Sequence, residues 1–393
     1  MVNKDKNVLL LGYSGYIGTA LTQRLLLEEY NVIGVDNFSR RLNVEKCDSV
    51  SAINTPDEKE KVVLFKGLGN FESHVFDISK DYNSLEYLFK HNKIDHIINL
   101  AHNPSAPYSM KNQEQSDEVL RNNICGTNNI LWCMKKYATN ASKISAGSTG
   151  EFDHQIGIPI DENSISIEVD GLTSKNFMFP RHPNSLYHLS KISSTYMMNY
   201  ISKIWNLSCT DVMQAVVFGS YTDDIDITGI NTRIDSDESQ GTVIHRFIVQ
   251  ACIGEPLTIY GEGLHQRGFL SLNDSIQAFM IGIKNPAKKG EYLTWNQLSS
   301  WSSINDISDM VVKAGNNMGL DVQKRHITSP RPEHTGTHYY NYITKKLADL
   351  GYRPTRTIEQ EIEYTMKKVL STIENDKTII PILRKNVMPK IIF

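Results

Sequence analysis

The stretch VLLLGYSGYIGTALTQRLL, from Val8 to Leu26, restricts the fold of this chain more than any other segment. An apolar run, Val8–Leu11, meets Gly12, Gly15 and Gly18, and apolar residues then recur at helical spacing at Leu21, Leu25 and Leu26. Glycines between a strand and a helix allow a tight turn, let backbone approach a pyrophosphate, and bring helix close to strand. The helix start offers N–H groups and the positive end of its dipole to phosphate. The spacing therefore predicts a dinucleotide-binding turn, with Tyr16 and Ile17 in its first helical positions.

Further apolar runs at Val32–Val35, Val62–Phe65, His74–Phe76, His96–Leu100 and Lys143–Ala146 read as buried strands, with helical spacing between several of them. Apolar strands separated by helices suit a parallel sheet covered on both faces. The expected fold is α/β: a Rossmann-type, doubly wound parallel sheet with a smaller mixed α/β substrate-binding lobe. The boundary is placed at 1–220 and 221–393, with some later chain crossing back to the first domain. Arg41 to Glu60 reads as a polar excursion, Ser185 to Lys203 as a helix, and SYTDDIDITGINTRIDSDESQG as a turn-rich loop on the substrate side. The tail IIPILRKNVMPKIIF is apolar and basic, and either docks or frays.

At 393 residues with a formal net charge of -3, the chain has no electrostatic reason to bind nucleic acid or a membrane surface. No apolar run approaches a membrane span, and the first strand begins too early for a leader. The 5 cysteines lack metal spacing and the histidines show no paired-ligand motif, so no metal is expected and a cytoplasmic location is.

The second strand ends in Asp36, where a carboxylate takes a ribose diol and repels a 2′-phosphate, which favours NAD; Asn37 lies beside it. Arg40 and Arg41 follow and argue the other way. In SLYHLSK, Tyr187 and Lys191 are four apart at a helix start and share a face. An ammonium beside a phenol lowers its pKa, so the tyrosine serves as a base. Ser148 or Thr149, at the end of a strand in SAGSTGE, would share the substrate proton.

These residues resemble the extended short-chain dehydrogenase/reductase superfamily, with its glycine turn, Ser/Thr and Tyr-x-x-x-Lys. SAPYSM, NNICGTNNIL, YHLSKI and HRFIVQACIGEPLTIYGEGLHQRGFLSLNDSIQ resemble more narrowly the UDP-sulfoquinovose synthase family, over residue 7 to about 350. The resemblance implies bound NAD, with UDP-glucose and sulfite (or a sulfite-delivering protein) as partners. It implies catalytic roles for Ser148, Tyr187 and Lys191, with Glu151 or His188 handling the C5 proton or the C6 leaving group. Asp77, Ile78 and Ala101 would meet the cofactor, alongside Tyr187 and Lys191. Asn103, Ser105, Arg181, Gln214 and Thr242 are expected on the substrate side, with Arg267 and Arg331 on the pyrophosphate and Asn123 structural. A homodimer through helices near Leu120–Tyr137 and Tyr187–Trp205 is also implied.

The sequence departs from that family at Asn103-Pro104, where the family has Gln-Arg, so a cation near the sugar is lost. His102, Arg181 or His182 are the expected replacements. A UDP-sugar 4-epimerase or dehydratase without sulfite chemistry is the alternative, although Thr149-Gly150 lacks the Asp-Glu pair of 4,6-dehydratases. A non-catalytic NAD-binding regulator would be expected to have lost Tyr187 or Lys191.

Overall fold

The inner strands of the central sheet are short and buried because both faces of the sheet are covered. All seven residues of Ser208–Gln214 are buried, as are all four of His96–Asn99. The computed structural model describes residues 3–152, 159–328 and 341–387. Its central sheet contains β1 (Asn7–Leu11), β2 (Asn31–Asp36), β3 (Phe71–Val75), β4 (His96–Asn99), β5 (Ser142–Ser148), β6 (Ser208–Gln214) and β7 (Tyr292–Gln297). Their order is β7-β6-β5-β4-β1-β2-β3, with every neighbouring pair parallel. The order reverses between β1 and β4, and a crevice opens there beyond the strand ends.

The glycines of the first turn have separate tasks. Gly12 has φ +87°, and a Cβ there would lie 2.6 Å from the Leu100 carbonyl carbon and 2.8 Å from the Ala101 nitrogen. Its N–H donates to the Val35 carbonyl at 2.7 Å. A Cβ on Gly18 would run into the carbonyl oxygen of Gly12, so the helix Tyr16–Leu27 packs on the turn only without a side chain there. Gly15 caps that helix with φ −68° and meets nothing closer than 3.4 Å, which leaves room on the ligand side.

Val62–Phe65 is not a strand. It lies inside the helix Glu58–Leu68, whose start Asp57 caps by accepting from the N–H groups of Lys59 and Glu60 at 2.8 Å. The cap and the acidic first turn outweigh a four-residue apolar run. The strand expected at His74–Phe76 lies slightly earlier, at Phe71–Val75. The polar excursion begins inside the helix Ser39–Lys46 and ends in the first turn of Glu58–Leu68.

A second core forms around the helices Val243–Cys252, Ile304–Asn317 and Ile358–Asn375. A three-stranded sheet of Val216–Phe218, Gln266–Ser271 and Ser300–Ser303 borders it. β7 and the helix Leu272–Lys284 pack with the central sheet although both follow residue 220. The tail docks on its own chain through the helix Ile379–Val387: Leu383 and Val387 are buried, and Arg384 pairs with Glu255 at 2.6 Å. Among the described residues, no helix is long and apolar enough to cross a membrane.

Gly18→Ala is expected to destabilise the fold by about 1–3 kcal/mol in urea denaturation, because backbone rather than a flexible side chain blocks the new methyl. A change near zero would mean that the helix start moves freely away from the turn.

Candidate active site

A cavity of about 500 Å³ opens at the crevice between β1 and β4 and continues toward the second core. Gly12, Gly15, Tyr16, Ile17 and Gly18 line its floor, with Asp36, Asn37 and Arg40 at one end. Ala101 and Ile78 line it from neighbouring strand ends. The Asp36 carboxylate accepts from Ser14 N–H at 2.9 Å and from Phe38 N–H at 2.8 Å. Burial pushes its pKa up to about 6, against those hydrogen bonds. Asp36 thus closes the turn after β2 and faces the cavity as well. Asp77 does not line the cavity: its carboxylate accepts from the Ser79 N–H at 2.9 Å and hydroxyl at 2.6 Å, fixing the turn that presents Ile78.

At the other end, Ser148 terminates β5 and Tyr187 sits in the first turn of the helix Leu186–Trp205. Ser185 caps this helix by accepting from the His188 N–H at 3.2 Å, and Tyr187 N–H donates to Ser109 Oγ at 3.0 Å. The start of the helix is therefore fixed against the SAPYSM segment. Ser148, Tyr187, His188 and Lys191 all line the cavity. Lys191 Nζ lies 5.8 Å from the Tyr187 ring centre, donates to the Ala146 carbonyl at 2.7 Å, and meets His102 Nδ1 at 2.9 Å.

Burial raises the Tyr187 phenol above its ordinary range, and the Ser148 hydrogen bond only partly opposes this. Lys191 stands beside this ring with its ammonium turned to Ala146 and His102. Burial pulls Lys191 down to about 8. His102 is held well below its ordinary value by desolvation and by Lys191, so it is neutral and supplies no cation.

Glu151 and Arg181 do not line the cavity. They form a fully buried pair at 2.8 Å, with the guanidinium stacked 4.5 Å over the Phe152 ring. Glu151 also accepts from the Ser148 N–H at 3.3 Å in a capping box, and burial raises its pKa to about 7. The carboxylate expected as a proton carrier caps a turn, and the arginine expected on substrate neutralises it. His182 N–H donates to the Glu151 carbonyl at 2.8 Å, which ties that segment to the same turn. His188 does face the cavity. Its Nδ1 is 2.9 Å from Ser185 Oγ, and Gly150 exists to clear its ring, since a Cβ there would run into Nε2.

On the substrate side, Ser105, Gln214, Thr242 and Arg267 line the cavity. Gln214 is opposite Ser148 in register, but its amide nitrogen donates to Gln297 at 2.7 Å and Ser275 at 2.8 Å. Thr242 caps the helix Val243–Cys252. Asn103 does not line the cavity: its side-chain oxygen accepts from Ser105 N–H at 3.2 Å. Asn123 takes the expected structural role, accepting from Asn103 N–H at 2.9 Å and donating to Ser190 at 2.8 Å. Arg331 lies outside the described residues. No group of three or more His, Cys, Asp or Glu side chains is arranged for a metal among the described residues.

Arg233, Arg246 and His265 line the cavity without having been singled out in the sequence. Arg246 was within reach, since it lies one helical turn after Thr242 and donates to the Tyr260 hydroxyl at 2.7 Å. Arg233 carried no such signal.

A glycine turn free of Cβ atoms, a carboxylate closing the second strand and a Ser–Tyr–Lys group in one cavity fit a nicotinamide dinucleotide. The chain matches the NAD dependent epimerase/dehydratase family over residues 8–296. It belongs to that family and is an NAD-dependent enzyme. Its relatives there include UDP-sulfoquinovose synthases. The enzyme of Sulfolobus acidocaldarius is 34% identical over 368 residues, covering 92% of both chains. The chloroplastic enzyme of Spinacia oleracea is 34% identical over 352 residues, 89% of this chain and 72% of that one. In fold, the chain matches a dTDP-glucose 4,6-dehydratase from Bacillus anthracis in complex with NAD. The TM-score is 0.70, with 18% identity, and the match covers 95% of this chain and 99% of that one.

Arg181→Met is expected to destabilise the protein by about 3–5 kcal/mol, because it strands a buried carboxylate. Adding Glu151→Leu should recover most of that loss. Substrate KM should stay unchanged in the double variant; a large rise in KM with stability unaffected would return Arg181 to the substrate.

Proposed function

We propose that this enzyme is a UDP-sulfoquinovose synthase, converting UDP-glucose and bisulfite to UDP-sulfoquinovose and water. The observation that carries the reading is the convergence of Ser148, Tyr187 and Lys191 on the cavity that also holds the glycine turn. The 34% identity to two enzymes of that name supports the choice of substrate.

When bound, NAD supplies the hydride acceptor, and then the donor, for C4 of the sugar, so the net reaction is redox-neutral. Gly12, Gly15 and the helix start would hold its pyrophosphate, and Asp36 its ribose. Tyr187 removes the C4 hydroxyl proton, with Ser148 sharing it and the Lys191 charge stabilising the phenolate. The 4-ketone acidifies the C5 hydrogen, and loss of the C6 hydroxyl as water leaves a conjugated enone on the sugar. The sulfur lone pair adds at C6 and a proton returns to C5. Tyr187 finally returns its proton to the C4 oxygen. With Glu151 turned away, His188 is the group that carries the C5 proton. Arg267 holds the pyrophosphate of the sugar nucleotide, a task suited to a guanidinium fork.

The 4-epimerase reading has one observation in its favour. Asn103-Pro104 has replaced the arginine of the resembling family, and neither Arg181 nor neutral His102 brings charge to the sugar end. Incubation of the purified protein with UDP-glucose, with and without sulfite, followed by mass spectrometry, separates the readings. A sulfonated nucleotide sugar that needs sulfite and disappears in Tyr187→Phe supports the synthase. Isomerisation indifferent to sulfite would overturn it.

Several exposed apolar side chains on the helices Gly126–Tyr137 and Leu186–Trp205, among them Trp132, Tyr200 and Ile204, support a homodimer through these faces.

Lys191 must be charged to act and is held near 8, so kcat/KM should fall as pH rises through about 8. An alkaline limb that stays above pH 10 in a pH–rate profile would contradict the assigned role.

A further inference from the structure

The cofactor end of the cavity presents a conflict. Asp36 closes β2 as in sites for an unphosphorylated ribose, yet Arg40 and Arg41 follow it, and a nearby arginine is what accommodates a 2′-phosphate. The structure resolves the conflict with a carboxylate far away in sequence. Arg40 Nε donates to Asp235 Oδ2 at 2.7 Å and its Nη2 to the Gln240 carbonyl at 2.8 Å. Arg233 grips the same carboxylate, with Nε 2.9 Å from each oxygen. The Asp235 side chain is fully buried, and all three residues line the cavity with Asp36. Arg41 is held separately, by Glu45 at 3.1 Å and Glu58 at 3.6 Å.

The segment that brings Asp235 is firmly anchored. Thr232 donates to the Tyr16 carbonyl at 2.6 Å, Ala52 N–H to the Ile234 carbonyl at 2.8 Å, and Ile234 N–H to Ser51 Oγ at 3.0 Å. Ser105 hydrogen-bonds the Ser239 carbonyl at its far end. Asp235 therefore occupies a built position.

We propose that Asp235 is a second determinant of cofactor choice: by holding Arg40 and Arg233, it withholds from the adenosine ribose the cations that a 2′-phosphate requires. Asp36 repels the phosphate, and Asp235 removes its partners. Loss of Asp36 alone leaves the guanidinium groups committed, so it yields little affinity for a phosphorylated cofactor. Loss of both releases Arg40 toward the site. The inference concerns the dinucleotide end alone and stands whichever sugar is the substrate.

Fluorescence titration with NADH and NADPH tests it on wild type, Asp36→Asn, Asp235→Asn and the double variant, after bound dinucleotide has been removed. NADPH affinity is expected to rise less than about 10-fold in Asp36→Asn and about 100-fold in the double variant, the scale of one or two charge-assisted hydrogen bonds. Adding Arg40→Ala should abolish the second gain. A double variant no better than Asp36→Asn, or a gain that survives Arg40→Ala, would overturn the proposal. If Asp235→Asn fails to fold by circular dichroism, Asp235→Asn/Arg233→Met in the Asp36→Asn background replaces the whole buried pair and is read by the same criteria.

Discussion

The approach of backbone to backbone at Gly12 is the contact on which both ends of the active site depend. Without a Cβ at this position, the turn after β1 closes against Leu100 and Ala101 at the end of β4. Leu100 N–H donates to the Leu11 carbonyl at 2.8 Å, so the two strand ends are knit together there. One residue on from Ala101, His102 receives Lys191, which in turn holds the Ala146 carbonyl of β5. Phosphate cradle and proton-transfer group are thus joined through a few covalent and hydrogen-bonded links. A methyl group at Gly12 would have to displace all of them.

Charge under the catalytic end is arranged in depth. Glu151 and Arg181 neutralise each other beneath the end of β5, outside the cavity. Asp211, on β6, accepts from Thr195 at 2.6 Å and favours the charged form of Lys191 from behind. Burial is the largest influence on both Tyr187 and Lys191, pushing each toward its neutral form. A tyrosine and a lysine in such a setting respond strongly to any charge that arrives beside them, because little water remains to screen it.

What could be read from the sequence divides by range. The glycine turn was legible because its causes are local: three backbone positions and the chain immediately around them. Tyr187 and Lys191 were legible because helical spacing alone puts them on one face. Val62–Phe65 misled because four apolar residues fit either a strand or one side of a helix, and the cap at Asp57 decided the matter. Glu151 and Arg181 misled because a motif match gives a position and not a direction. Nothing near either residue indicates that they meet across thirty residues of chain. The pairing of Arg40 with Asp235, far apart in sequence, was equally out of reach: SYTDDIDITGINTRIDSDESQG reads as polar loop because many of its side chains are charged, and Arg233 and Asp235 within it are buried because they answer each other and Arg40.

The cavity is lined by residues from Gly12 to Ile304, and the strand that closes one edge of the central sheet is Tyr292–Gln297. During synthesis the glycine turn leaves the ribosome first, and at about 5–20 residues per second its last wall follows roughly 15–60 s later. From the time β6 is made until β7 follows it, β6 presents an unpaired edge, and for most of that time the helix Leu272–Lys284 has yet to cover its part of the sheet. The order of the chain thus delays assembly of a complete pocket until most of the polypeptide exists, and leaves the nascent molecule dependent on slow, long-range closure.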